Sequence, residues 1–356
     1  MKTTCYAQTN IGAARTNNED NYYCNGTFKL SAQSPVEELI SAPEGEGLLF
    51  GVFDGMGGEA RGEEAALAAA RTLFAFQGRP FEAPAYFQQA NAAVGEVGRA
   101  SGETSGSTAA VAYFRGNRVF ACNVGDSRVY FQRGDELRCL THDHTRYQQL
   151  VDSGYTVLAG GDRHVLTQFL GMGVQRPLTP HFSFSVKVEP GDRVLLCSDG
   201  VTGSLPDAAI AEALGQAAQP EEIGRALVQR ALAAGSRDNL TVVVVEVCTL
   251  DAETLPEEPP PTMPSEELAQ TRRFEVPPPE KIAAEEDGRR RRRRKERRRE
   301  ARMILLVLLA VLFVAGGIIW LALGHSPHSA GTSSPRAPVR IITINPARPN
   351  ETIGPQ

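Results

Sequence analysis

LLFGVFDGMGGEARGEEAALAAA, residues 48–70, opens as an apolar run and closes as an alanine-rich stretch. Between the two sit Asp54 and the sequence Gly55-Met56-Gly57-Gly58. Leu48 to Phe53 has the length and composition of a buried strand, and 59–76 reads as a helix. The strand therefore finishes on a carboxylate, followed by a turn too rich in glycine to pack against anything.

The same arrangement recurs along the chain. Asp126 follows VFACNVG, Asp199 follows VLLCS, and Asp238 precedes NLTVVVVEV. Any one of them reads most simply as a turn residue, since Asp-Gly is a common turn signature. Their recurrence points further. If the strands share one sheet system, their ends bring the carboxylates together. Clustered carboxylates stay ionised only when a cation compensates them. Oxygen donors without a neighbouring His or Cys select hard cations, Mg²⁺ or Mn²⁺ rather than zinc. Upstream, AARTNNEDNYYC holds Arg15, Asn18, Glu19 and Asp20. A surface turn explains that segment blandly. A guanidinium this close to carboxylates can also fork onto a phosphate while the acids support a metal.

The remaining strand candidates are 108–115, 118–124, 128–133, 181–188, 193–198 and 240–247, and helices are expected at 84–98, 144–152 and 220–233. Val, Phe and Tyr enrichment with short turns favours hairpins. The pattern implies an α+β fold of antiparallel sheets covered by helices rather than a wound βαβ sheet.

In order, Arg15-x-x-Asn18-Glu19-Asp20, Phe53-Asp54-Gly55-Met56-Gly57-Gly58 and Ser105-Gly106-Ser107-Thr108-Ala109 resemble motifs of one family. Asn123-Val124-Gly125-Asp126-Ser127-Arg128, Ser198-Asp199-Gly200 and Arg237-Asp238-Asn239-Leu240-Thr241 continue the series. Together they resemble the metal-dependent (type 2C) serine/threonine protein phosphatases of bacteria, over about residues 5 to 248. The resemblance implies a four-layer αββα sandwich and two Mn²⁺ or Mg²⁺ ions that activate water for phosphoester hydrolysis. It implies Asp54 bridging both ions, Gly55 offering its carbonyl, and Asp199 and Asp238 completing the set. Glu19 or Asp20 would act through bound water, and Arg15 would hold the substrate phosphate. Two positions depart from the pattern. Met56 stands where many relatives carry His, and Gly203 stands where an acid is frequent. The second weakens the case for a third metal at Asp126 and Asp199. His142 and His144 read as structural or solvent-facing, and His164 and His181 as sheet or loop residues.

Composition sets the surroundings. Residues 1–249 hold 20 Lys+Arg against 28 Asp+Glu, a net of −8. That balance argues against a two-metal nuclease and against any nucleic-acid partner. The six cysteines form no CxxC or Cys/His cluster, so no zinc site is expected. After the 1–249 domain comes a Pro/Glu-rich linker, 250–288, expected to be a solvated spacer. A basic segment, 289–302, then meets the uncharged 21-residue run Met303 to Leu323. At about 1.5 Å per residue this run spans roughly 30 Å, a membrane thickness. The basic flank places the large domain in the cytoplasm and the tail, 324–356, outside. The resulting expectation is a membrane-anchored protein phosphatase acting on phosphoserine and phosphothreonine proteins and opposing a serine/threonine kinase. The alternative is an anchored pseudo-phosphatase that only binds phosphoproteins.

Overall fold

The computed structural model describes residues 1–30, 36–57, 61–101, 105–155, 164–172, 177–216, 218–250 and 272–274. Its first half runs β1 (Lys2–Asn10), β2 (Asp20–Cys24), β3 (Thr27–Phe28), β4 (Val36–Ser41), β5 (Leu48–Gly57), α1 (Gly62–Phe74) and α2 (Ala83–Ser101). Then come β6 (Ser105–Ser107), β7 (Ala109–Arg115), β8 (Arg118–Val124), β9 (Arg128–Arg133), β10 (Glu136–Cys139) and α3 (Arg146–Asp152). The remaining elements are β11 (His181–Phe182), β12 (Val186–Lys187), β13 (Arg193–Cys197), α4 (Asp199–Thr202), α5 (Asp207–Leu214), α6 (Pro220–Ala233), β14 (Leu240–Thr249) and β15 (Arg272–Phe274).

The strands make two antiparallel sheets. One has the order β15-β10-β9-β13-β14-β1-β4, the other β11-β8-β7-β5-β2-β3, with β12 on β8 and β6 on β5. The continuous apolar runs follow from burial on both faces. In β5, Leu48, Phe50 and Val52 enter the core between the sheets. Leu49 and Phe53 turn the other way, against Ala66, Ala69 and Leu73 of α1 and Tyr86 and Phe87 of α2. In β14, Val243, Val245 and Val247 face the inter-sheet core. Val242 and Val244 face Ile210 and Leu214 of α5 and Leu227 of α6. Each such side chain contributes about 1.5–3 kcal/mol of burial free energy. Helices thus cover both outer faces, giving the expected αββα order of layers.

The structure departs from the sequence reading in these places, besides the unforeseen β10, α4 and α5. The chain from Lys2 to Ser41 supplies β1, β2, β3 and β4, where no strand is apparent in the sequence. Thr3, Gln8 and Thr9 are buried polar residues in β1, which pairs with β14 and β4 and so is held by its partners. Strand β5 does not end at Phe53: it runs through Asp54 to Gly57, the last residues pairing with β6. The expected strand over 181–188 is two short pieces, β11 and β12. Within the linker, β15 pairs with β10, Leu137 opposite Phe274, so the spacer contributes a strand there.

Five cysteines are buried and Cys248 is exposed, all as free thiols. Among the described residues no helix is long and apolar enough to cross a membrane. The run Met303 to Leu323, its basic flank and the tail lie outside the described residues.

Candidate metal centre

Register delivers the first two carboxylates. Asp20 at the start of β2 stands directly opposite Asp54 in β5. Asp126 lies in the turn between β8 and β9, next to Gly125, whose φ of 99° is the left-handed region that glycine adopts freely. Asp199 opens α4 immediately after β13, and Asp238 precedes β14. All meet at one end of the two sheets. Burial drives the Asp54 carboxyl well above its usual range, and the charges of Asp20, Asp199, Asp126 and Asp238 drive it further. Asp126 is also pushed well up, first by burial and then by Asp199 and Asp143. Asp20 is raised to about 7 by burial, against the pull of hydrogen bonds from Thr241 and Ser198.

The backbone around these acids is held by hydroxyls and amides. Thr108 N donates to Asp54 O at 2.8 Å, and Asp54 N donates to Thr108 Oγ1 at 2.9 Å. Ser198 Oγ and Thr241 Oγ1 both donate to Asp20 Oδ2 at 2.7 Å. Asn239 ties the 11–19 loop down, accepting from Glu19 N at 2.8 Å and donating to the carbonyls of Ile11 and Asn17 at 2.9 Å. Buried Lys29 donates to Asn18 O at 2.8 Å and adds a positive charge near Asp20.

Gly55 is required by a close crossing of backbones. A Cβ there would lie 1.9 Å from Gly62 O and 2.6 Å from Glu19 O. Glu19 sits against Gly62 at the start of α1, where the Gly62 N–H bonds to its carboxylate. Burial and Glu63 raise the Glu19 carboxyl, while Arg15 lowers it.

Arg15 reaches the cluster, gripping Asp238 with Nε on Oδ1 at 2.8 Å and Nη2 on Oδ2 at 2.8 Å. His164 is the residue the sequence reading missed. It lies in a turn, in keeping with a loop residue, and its Nδ1 is 3.3 Å from Asp199 Oδ2. No local pattern marks it, because the contact joins residues 35 positions apart. His142 pairs instead with Asp152 at 2.7 Å. Half-buried His144, held below its usual pKa by desolvation, lies against Gly125.

The donor set fits divalent cations. Buried Asp20 Oδ1 has no hydrogen-bond partner, an orphaned acceptor in a cluster of mutually repelling carboxylates. A hard cation satisfies both conditions at once. Asp54, the Gly55 carbonyl, Asp199 and Asp238, with Asp20 and Asp126, are the groups that would hold such ions.

The two-sheet sandwich with helices on both faces and an acidic centre at one end is shared with known proteins. A profile of the protein phosphatase 2C family matches residues 10–150. The serine/threonine protein phosphatase PstP of Mycobacterium tuberculosis is 32% identical over 262 residues, an alignment covering 69% of this chain. The chain spans 45% of the length of that relative. The crystal structure of Mycobacterium tuberculosis PstP superposes with a TM-score of 0.59 at 30% identity, covering 69% of this chain and all of that one (100%). A PstP catalytic domain in complex with two manganese ions superposes at 0.57 with 29% identity, covering 70% of this chain and 100% of its own. The chain belongs to the protein phosphatase 2C family.

Proposed function

We propose that the domain hydrolyses phosphoserine and phosphothreonine in proteins with two bound Mn²⁺ or Mg²⁺ ions. The observation that carries this reading is the meeting of Asp54 with Asp20, Asp126, Asp199 and Asp238, with Arg15 gripping Asp238 at its edge. When bound, the ions supply Lewis-acid polarisation of the phosphoryl group and acidify water near neutral pH.

The chain's own groups do the positioning. With its Nε and one Nη2 donor on Asp238, the half-exposed Arg15 guanidinium keeps its remaining Nη donors for phosphoryl oxygens. Ser198 and Thr241 hold the Asp20 carboxylate in place, and Thr108 holds the backbone of Asp54. Met56 offers no proton, so it does not protonate the leaving alkoxide.

The enzyme acts at the cytoplasmic face, anchored through 303–323 with 324–356 outside, and opposes a serine/threonine kinase. The uncharged run behind ten basic residues between Arg289 and Arg299 supports this placement.

Turnover of a phosphothreonine peptide, with Mn²⁺ added or chelated, tests the activity. Hydrolysis that appears with Mn²⁺ and disappears in Asp199→Asn is expected. Turnover indifferent to chelator refutes the reading. Tight peptide binding without turnover favours the pseudo-phosphatase. Deletion of 303–323 should release the chain from the membrane fraction.

A further inference from the structure

Cys5 and Cys24 meet in the core between the two sheets. Cys5 lies on β1, paired with β14 and β4, and Cys24 closes β2, paired with β5. These strands belong to different sheets, so the two side chains approach each other across the sandwich. Both pack among Phe50, Val243 and Val245 and are only 1% and 2% exposed. Cys5 Sγ donates to Cys24 Sγ at 3.2 Å, a separation about 1.2 Å longer than a disulfide bond.

The other thiols are placed differently. Cys122 packs in the layer of α1 and α2, and Cys139 and Cys197 in that of α5 and α6. Cys248 is exposed, its Sγ 3.6 Å from Thr4 Oγ1.

We propose that Cys5 and Cys24 are an oxidation site, closing to a disulfide that staples one sheet to the other, with a peroxide as oxidant. One thiolate attacks a peroxide oxygen: an S–O bond forms, the O–O bond breaks, and the second oxygen leaves as water after taking up a proton. The other thiolate attacks the resulting sulfenic sulfur: the S–S bond forms, the S–O bond breaks, and a second water leaves. Both sulfurs are oxidised, both peroxide oxygens are reduced, and the thiol protons end in the two waters.

Burial governs the reaction in both directions. It holds the Cys24 thiol well above its usual pKa, so oxidation waits on local opening of the sandwich. Once the bond is made, the same burial shields it from reductant. The bridge joins residues 19 positions apart and removes that loop's freedom from the unfolded chain. Asp20 and Cys24 are the two ends of β2, about 13 Å apart at strand spacing, so the staple leaves the metal centre untouched.

The test uses the full chain in detergent carrying Cys248→Ser, which removes the exposed thiol, treated with hydrogen peroxide that is then destroyed with catalase. Mass spectrometry of unreduced proteolytic fragments should find the Cys5 peptide joined to the Cys24 peptide, with two hydrogen atoms lost. The thermal midpoint should rise by about 5 °C or more and fall back on reduction with a dithiol. Cys24→Ala in the same background, treated identically, should show neither the link nor the rise. If that variant fails to fold, the fragment map of its parent decides alone. Cys5 and Cys24 recovered unlinked after peroxide, as thiols or as separate sulfinic acids, overturn the proposal. A linked protein whose midpoint does not move refutes the staple.

Discussion

Asp20 and Asp54 stand directly opposite each other across β2 and β5, two acids in a cross-strand pair of which Asp20 is buried and Asp54 partly so. Like charges at such a position destabilise a sheet, and burial removes the solvent that would screen them. The fold keeps the pair because four strands and a turn converge there.

The pair sets the pH dependence of the metal-free domain. Asp20, raised to about 7 from an ordinary 3.8, binds a proton in the folded state that the unfolded chain releases. Its contribution is therefore fully present below about pH 4 and lost as pH rises through about 7. Asp54 and Asp126, both raised, act with the same sign. Thermal unfolding in chelator should show stability falling from pH 5 to pH 8, and Asp20→Asn should flatten that fall. Mn²⁺ should raise the midpoint more at pH 8 than at pH 5. A chelated protein more stable at pH 8 than at pH 5 would contradict this.

Arg15 and Asp238 make a second testable pair. The fork is half exposed, so its direct worth to stability is about 1 kcal/mol or less. Arg15→Ala should leave the unfolding midpoint nearly unchanged and lower kcat/KM by roughly ten- to a hundredfold, through lost phosphate contact. Because the guanidinium no longer grips both Asp238 oxygens, the same variant should bind Mn²⁺ more tightly. Steady-state kinetics and metal titration read the two effects separately. Mn²⁺ affinity that weakens in the variant would show that Arg15 supports the centre instead of competing for Asp238.

Gly55→Ala should be severe. Its Cβ would meet Gly62 O at 1.9 Å, a clash of backbone with backbone that no rotamer change relieves. Overpacking of side chains typically costs 1–3 kcal/mol, and this substitution should cost about 3 kcal/mol or more. A denaturant midpoint within experimental scatter of the parent would count against the crossing as drawn.

His181 gives a dependence of opposite sign to the acids. Burial lowers its pKa from 6.5 to about 4, with His142 and His144 adding to the shift. The unfolded chain therefore binds a proton that the folded one refuses, so stability is kept above about pH 6.5 and lost as pH falls toward 4. His181→Asn compared with the parent at each pH should remove that loss while leaving the carboxylate effects common to both. An unchanged difference between the two proteins from pH 7 to pH 4.5 would exclude it.

Local composition made the central strands legible, because β5, β13 and β14 are buried on both faces and need apolar side chains at every position. Strand β1 was illegible for the converse reason. Its buried Thr3, Gln8 and Thr9 are held in place by β14 and β4 rather than by their own preference for strand. At the centre, the sequence alone marks Asp54, Asp126, Asp199 and Asp238 as acids at strand ends. It could not say which of the adjacent Glu19 and Asp20 turns inward. Register decided that, placing Asp20 against Asp54 and leaving Glu19 beside Gly62.

The order of the motifs, the apolar periodicities and the charge asymmetry belong to the sequence by itself, since each depends on near neighbours along the chain. The grip of Arg15 on Asp238 and the approach of His164 to Asp199 were decided only by the tertiary structure. Those contacts join residues 223 and 35 positions apart, and their geometry depends on strand register and loop crossing, which no local pattern encodes.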